Sequence, residues 1–189
     1  MPRSRINLEN LDFSSRKLGP LPIINRFFDQ LHLDRLLDEH VPHTDRRITL
    51  PPAAGLGVLI RNILVAREPL YGLAEWASQY DEGVLRVPSG TATMLNDDRV
   101  GRCLDHLFKA ERAAIATAVV CRAQQRFELE LDQLHNDTTS ITFQGKYDNA
   151  NGEKHFGRPT HQIVRGHNKD FRPDLEQLVY ALTTPAGGY

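Results

Sequence analysis

The sequence predicts an α+β chain in which an all-helical N-terminal domain, residues 1–125, precedes the opening strands of an incomplete α/β domain, residues 126–189. Up to about Gln125 the apolar residues recur at three- and four-residue steps, the helical period. Beyond Gln125 they alternate, and β-branched and aromatic residues crowd together. The closing Pro185-Ala186-Gly187-Gly188 is a turn signal of the kind that sits between strands. With 189 residues, 40% hydrophobic and 25% charged, the composition is that of a globular protein of one domain or two small ones.

Between Leu21 and His40, Ile23, Ile24, Phe27, Phe28, Leu31, Leu33, Leu36 and Leu37 mark two short amphipathic helices, closed by Pro42. A polar link, His43 to Arg47, leads to Pro51 and Pro52. These suit a first helical turn, where the missing N–H costs little, and the spacing predicts a helix to about Ala66. Its apolar coverage is nearly all round, as expected of a central core helix. Glu68-Pro69 ends that region, since a residue before proline is pushed out of helical backbone.

A short helix is expected from Leu70 to Tyr80, then a loop from Asp81 to Gly90 rich in turn residues. Asn96, Asp97 and Asp98 are cap candidates for a helix carrying Val100, Leu104, Leu107 and Phe108, and a further helix spans Ala110 to about Gln125. The alternation of Phe127, Leu129 and Leu131 then predicts a strand ending near Asp137, with a second through Phe143. Lys146 to Arg158 has the glycine, Asn and Asp content of a long loop, and a last strand is expected over Leu178 to Thr183. Two or three strands without a second layer mean that the α/β region is cut short or is covered by the helical domain.

Several function classes fall away. The longest apolar run, Pro51 to Ala66, is interrupted by Arg61 and Asn62 and is shorter than the roughly 20 apolar residues of a membrane helix, so no span is expected. Met1 to Phe13 has no apolar centre of a secretory signal, and the expected compartment is the cytoplasm. Cys103 and Cys121 are far apart and lie in helical pattern, as buried reduced thiols do. A formal charge of −1 supplies no global field, so any contact with nucleic acid must be local.

The carboxylate that stands out is Asp137, in Leu134-His135-Asn136-Asp137-Thr138-Thr139-Ser140. A strand-held acid beside a loop is placed to hold a hard divalent cation; an Asp beside Thr-Thr is also an ordinary turn or cap former. His135-Asn136-Asp137-Thr138-Thr139-Ser140, paired with the stretch from Gly166-His167-Asn168-Lys169-Asp170 through Phe171-Arg172-Pro173-Asp174-Leu175-Glu176-Gln177, resembles the start of the catalytic domain of DDE transposases from bacterial insertion sequences. The upstream Leu18-Gly19-Pro20-Leu21-Pro22 and Pro69-Leu70-Tyr71 look like the N-terminal region of such proteins, often catalogued as a domain of unknown function.

The resemblance implies an RNase H-like catalytic fold and three carboxylates, Asp, Asp and Glu, that hold magnesium ions at a DNA phosphodiester. Asp137 matches the first Asp; the matches for the second Asp and the Glu do not occur up to Tyr189. Mg²⁺ is therefore expected only for the complete enzyme, and little cleavage by this polypeptide. The implied partners are the terminal repeats of a mobile element and a second copy or full-length transposase. A non-catalytic DNA-binding or regulatory module working with full-length transposase is the alternative.

Asp170, Asp174 and Glu176 are substitute ligands that the resemblance does not mark. Lys154, Arg158, Arg165, Lys169 and Arg172, with His155, His161 and His167 among them, either track a DNA backbone or form a solvated loop whose charge Asp148, Glu153 and Asp170 offset. The histidines are spaced too widely for one zinc-binding helical face. Pro52–Ala66 and Leu70–Tyr80 fit a helix-turn-helix or a plain core pair; with Glu75 the one charge between Leu70 and Tyr80, the second helix is a poor reader of bases. Trp76 and Tyr80, four apart, are expected to pack together.

Overall fold

The computed structural model describes residues 15–41, 43, 48–148, 150–166 and 171–185. Seven α-helices precede five strands among these residues, a mixed α+β architecture. The chain divides into two compact units, Met1–Arg112 and Ala113–Tyr189.

In the first unit, α1 (Leu21–Leu31) and α2 (Leu33–His40) are the two predicted amphipathic helices. His32 separates them in left-handed backbone, φ 50°, and its N–H bonds back to the Asp29 carbonyl. The helix α3 (Pro52–Val65) begins with Pro51 as its cap residue and Pro52 in the first turn. It ends where the Asn62 side chain clasps Glu68, accepting from its N–H at 3.1 Å and donating to its carbonyl at 2.8 Å. This clasp satisfies the backbone that Pro69 forces out of the helix.

The predicted helix over Leu70–Tyr80 is a 3₁₀ turn, Leu70–Gly72, running into α4 (Leu73–Ser78). The expected loop from Asp81 to Gly90 contains a single helical turn, α5 (Glu82–Leu85). The turn forms because the Asp81 carboxylate accepts from the Gly83 N–H at 2.9 Å, a local cap that the surrounding Gly83 and Pro88 obscure in the sequence. Glu82 then reaches the next turn, accepting from the N–H groups of Ala92 at 3.0 Å and Gly90 at 2.8 Å. Those donors, Ala92 first, hold its carboxyl below the ordinary range.

In α6 (Asp97–Lys109) Asn96 caps the start by accepting from Arg99 N–H at 3.0 Å, with Asp97 and Asp98 in the first turn and Lys109 in the last, matching the helix dipole. The core sits around α3, which contacts α1, α2, α4, α5 and α6. Leu21, Phe28, Leu36, Val58, Leu73, Leu85, Leu95 and Val100 are among its fully buried side chains. Each such side chain contributes about 1.5–3 kcal/mol through burial. Trp76 and Tyr80 are both buried and stack in a tilted pair 5.0 Å apart, the packing role expected of them.

The helix α7 (Arg112–Phe127), in which no residue is buried, starts at the last residue of the first unit and forms the beginning of the second. Phe127, expected at a strand start, is its last residue; Glu128, at φ 52°, turns the chain out, and residues 128–133 form no strand. Three alternating positions have no partner to complete a ladder there, whereas the Ala- and Arg-rich segment before them favours helix. Beyond it, β1 (Leu134–Phe143) is one continuous strand where two were expected. The reason is its partner: β5 (Glu176–Pro185) pairs antiparallel along all ten residues, from Leu134↔Pro185 to Phe143↔Glu176.

Two further short pairs complete the unit. The strand β4 (Val164–Arg165) joins the other side of β5, giving the order β1-β5-β4. Within the expected long loop, β2 (Lys154–His155) and β3 (Arg158–Pro159) pair as a separate hairpin. Every residue identified as buried and apolar lies in the first unit; in the second, the described buried residue is the polar Gln177.

Candidate functional site

Asp137 lies in the interior of β1, exposed, directly opposite Leu182 of β5. Opposed residues of an antiparallel pair share a face, so His135 and Thr139 flank the carboxylate on that face, with Thr184 and Tyr180 across from them. On the other face Asn136 donates from Nδ2 to Thr183 Oγ1 at 3.0 Å, which ties the strand pair together beside the carboxylate.

Neither of the two substitute acids among the described residues, Glu176 and Asp174, converges on Asp137. Glu176 lies on the same face but six residues along β5 from Leu182, about 20 Å at strand rise. Asp174 forms a bidentate pair with Arg172, Nε to Oδ1 at 2.8 Å and Nη2 to Oδ2 at 2.7 Å, and Asp170 lies outside the described residues. Among the described residues no group of three or more His, Cys, Asp or Glu side chains is placed to hold a metal ion. An exposed carboxylate is a suitable hard donor for Mg²⁺, yet one such donor is no binding site.

The basic candidates fall into two places. Lys154 and Arg158 stand on the β2–β3 hairpin, Lys154 opposite Pro159 and Arg158 opposite His155. Arg165 is on β4 opposite Glu176, and its charge also helps lower the Asp174 carboxyl, which the Arg172 hydrogen bonds bring down to about 2. Arg172 is thus occupied within its own turn, and Lys169 and His167 lie outside the described residues. Of the cysteines, Cys103 is buried as expected while Cys121 is exposed, because α7 buries no side chain.

A polar cluster in the helical unit was not apparent from the sequence, where Arg61 is merely a break in an apolar run. Arg61 is 1% exposed. Its Nε donates to Asn25 Oδ1 at 2.8 Å, its guanidinium lies 4.0 Å over the Phe28 ring, and Nη2 stands 3.5 Å from Asp34 Oδ1, an ion-pair contact without a hydrogen bond. Burial pulls the guanidinium below its ordinary value, and Asp34 opposes that pull. Arg86, at φ 58° after α5, completes the cluster by pairing with Asp34 at 2.5 Å and Asp29 at 2.8 Å. Asn25 in turn donates to the Val84 carbonyl at 2.8 Å. The cluster links α1, α2, α3 and the end of α5 through hydrogen bonds and ion pairs.

The helices that carry this cluster coincide with a recognised sequence family. The model of the family described as Domain of unknown function (DUF4277) matches residues 13–121, more than half of the chain. The chain belongs to this family. The DUF4277 match spans α1 to α6 and most of α7, so it covers the buried core and the Arg61 cluster, and it stops before β1 and Asp137. No curated protein and no solved structure matches the chain. Among the described residues no helix is long and apolar enough to cross a membrane.

Proposed function

We propose that this chain supplies one acidic corner, Asp137, of a DDE transposase acting at the ends of an insertion sequence, with the DUF4277 region as its helical lead domain. The observation that carries this reading is the setting of Asp137. It is exposed on an extended strand of an antiparallel pair, within the motif His135-Asn136-Asp137-Thr138-Thr139-Ser140, as an RNase H-like centre requires of its first carboxylate. Magnesium held between carboxylates polarises a phosphodiester and activates the attacking oxygen. Among the described residues no group of three or more His, Cys, Asp or Glu side chains is placed to hold the metal, so no step through it is derived from them. The DNA partner is the terminal repeat, and the protein partner is a second copy or full-length transposase.

The contrast in burial favours a second reading. The helical unit contains the buried apolar residues and the Arg61 cluster, as a self-sufficient DNA-binding or regulatory module working with full-length transposase would. Both readings are tested on duplexes copied from DNA flanking the gene, with and without Mg²⁺. The expected result is binding in preference to unrelated DNA and no nicking by this polypeptide alone. Robust Mg²⁺-dependent nicking that vanishes in Asp137→Asn refutes the single-carboxylate reading. Equal affinity for flanking and unrelated DNA refutes the assignment to element ends.

A further inference from the structure

The segment expected to be a structureless loop contains a built feature. From Ala150 to Ile163 the chain folds back on itself as a narrow arm. Its ladder runs through Ile163 N–H to Ala150 carbonyl at 2.9 Å, the Asn151–Gln162 bridge, Thr160 N–H to Glu153 carbonyl at 3.0 Å, and the β2–β3 pair. The Thr160 hydroxyl adds a bond to the Glu153 carbonyl at 2.8 Å.

Two residues, Phe156 and Gly157, close the arm with positive φ, 49° and 78°, the signature of a type I′ hairpin turn. Such a turn favours Asn or Asp followed by Gly. Gly157 meets that preference, but the preceding position holds a phenylalanine, a bulky residue for which left-handed backbone is an outlier. The residue is also 50% exposed. Phe156 is therefore poorly suited to its place on both counts, conformation and solvation, and an outlier of this kind is grounds for a functional hypothesis.

The surroundings of the ring point to one chemistry. His155 packs against it with centroids 4.1 Å apart, making an exposed aromatic pair. Below the turn Arg158 shares the face of His155, while Lys154, paired with Pro159, lies on the opposite face, so one cation stands on either side of the arm, and between Ala150 and Ile163 the sole carboxylate is Glu153. An aromatic platform flanked by cations matches a base next to its phosphates: the ring stacks while Lys and Arg meet the backbone. A membrane surface fits less well, since one ring and a two-residue turn bury little apolar area.

We propose that the β2–β3 arm is a nucleic-acid probe in which Phe156 stacks on an unpaired base and Lys154 and Arg158 hold the adjoining phosphates. This rests on the reading that the chain acts on DNA, and it adds the site, the contacting residues and the preferred form, a duplex with a single-stranded or opened end.

The full chain is titrated at fixed salt into a blunt duplex and into the same duplex carrying a single-stranded tail with a fluorescent adenine analogue. Wild type is expected to bind the tailed DNA more tightly and to quench the analogue. Phe156→Asn keeps a residue that accepts left-handed backbone, so the arm still folds. It is expected to weaken tailed binding about tenfold and abolish quenching with blunt binding unchanged. Phe156→Trp is expected to restore both. Lys154→Gln with Arg158→Gln is expected to weaken binding to both DNAs and flatten the salt dependence.

Wild-type levels of tailed binding and quenching in Phe156→Asn overturn the proposal while leaving DNA action intact. Failure of wild type to bind either DNA overturns the proposal together with the functional reading it rests on. Binding to phosphatidylserine vesicles that Phe156→Asn abolishes, with no DNA binding, replaces it by a membrane contact.

Discussion

The two units of this chain satisfy their backbones in opposite ways. The helical unit closes its hydrogen bonds locally and then buries side chains around α3, down to an arginine at 1% exposure. In the second unit the β1–β5 ladder closes its hydrogen bonds over long sequence separations, Leu134 to Pro185 at the extreme, and leaves Leu134, Ile141, Val179, Tyr180 and Leu182 exposed. Regular secondary structure is thus common to both, while the buried apolar side chains among the described residues belong to one. The family match, residues 13–121, covers the whole buried core and runs on into α7, stopping before the β1–β5 ladder.

The largest test of this contrast compares truncations across the units. Arg61→Ala removes the donor to Asn25 Oδ1, the cation over Phe28 and an ion pair to Asp34, and leaves buried polar groups without it. The expected loss is about 3–5 kcal/mol of unfolding free energy, read by urea denaturation followed at Trp76. Leu182→Ala, at a side chain 57% exposed, is expected to change stability by less than about 0.5 kcal/mol. A loss at Leu182 comparable with that at Arg61 would mean that the sheet has a covering layer, and the comparison fails.

The same contrast explains what could be read from the sequence. Helices whose signals are local were legible: Pro51-Pro52 starting α3, Asn96 capping α6, and the apolar steps of α1 and α2. The turn α5 was hidden because its cap is a single bond from Asp81 to Gly83 among loop-forming residues. Strand limits were missed because they depend on the partner. Asp137 is an interior strand residue, since β5 pairs past it, and Phe127 is helical, since no strand pairs with it. Asp137 itself was legible as a motif. Neither the burial of Arg61 nor the hairpin under Phe156 has a local signature; each needs residues 20 or more positions away, or a turn whose first residue is atypical.

An intermediate effect sharpens the description of the helical core as tightly packed. A Cβ added at Gly55 would lie 2.6 Å from Cys103 Sγ, between α3 and α6. Gly55→Ala gains helix propensity but overpacks this contact, and the expected net loss is about 1–3 kcal/mol. Cys103→Ala opens the space, so the double variant is expected to be more stable than Gly55→Ala alone. Additive losses in the double-mutant cycle would show that the two residues do not meet, and that the core is looser around Cys103 than the geometry requires.

The smallest effect isolates the electrostatics of the strand unit. Asp174 is exposed, yet its bidentate bonds from Arg172, aided by Arg165, bring its carboxyl from 3.8 down to about 2. A depressed carboxyl favours the folded turn above pH 3.8, and that preference disappears as pH falls through about 2. Carboxyl NMR titration is expected to place Asp174 near 2 in wild type and close to 3.8 in Arg172→Gln, with no change in the urea midpoint at neutral pH. The two readouts separate because a solvent-exposed pair orders its own turn without a core to transmit the effect. A shift in the midpoint would show that this turn is coupled to the rest of the sheet, which is the property that distinguishes the helical unit.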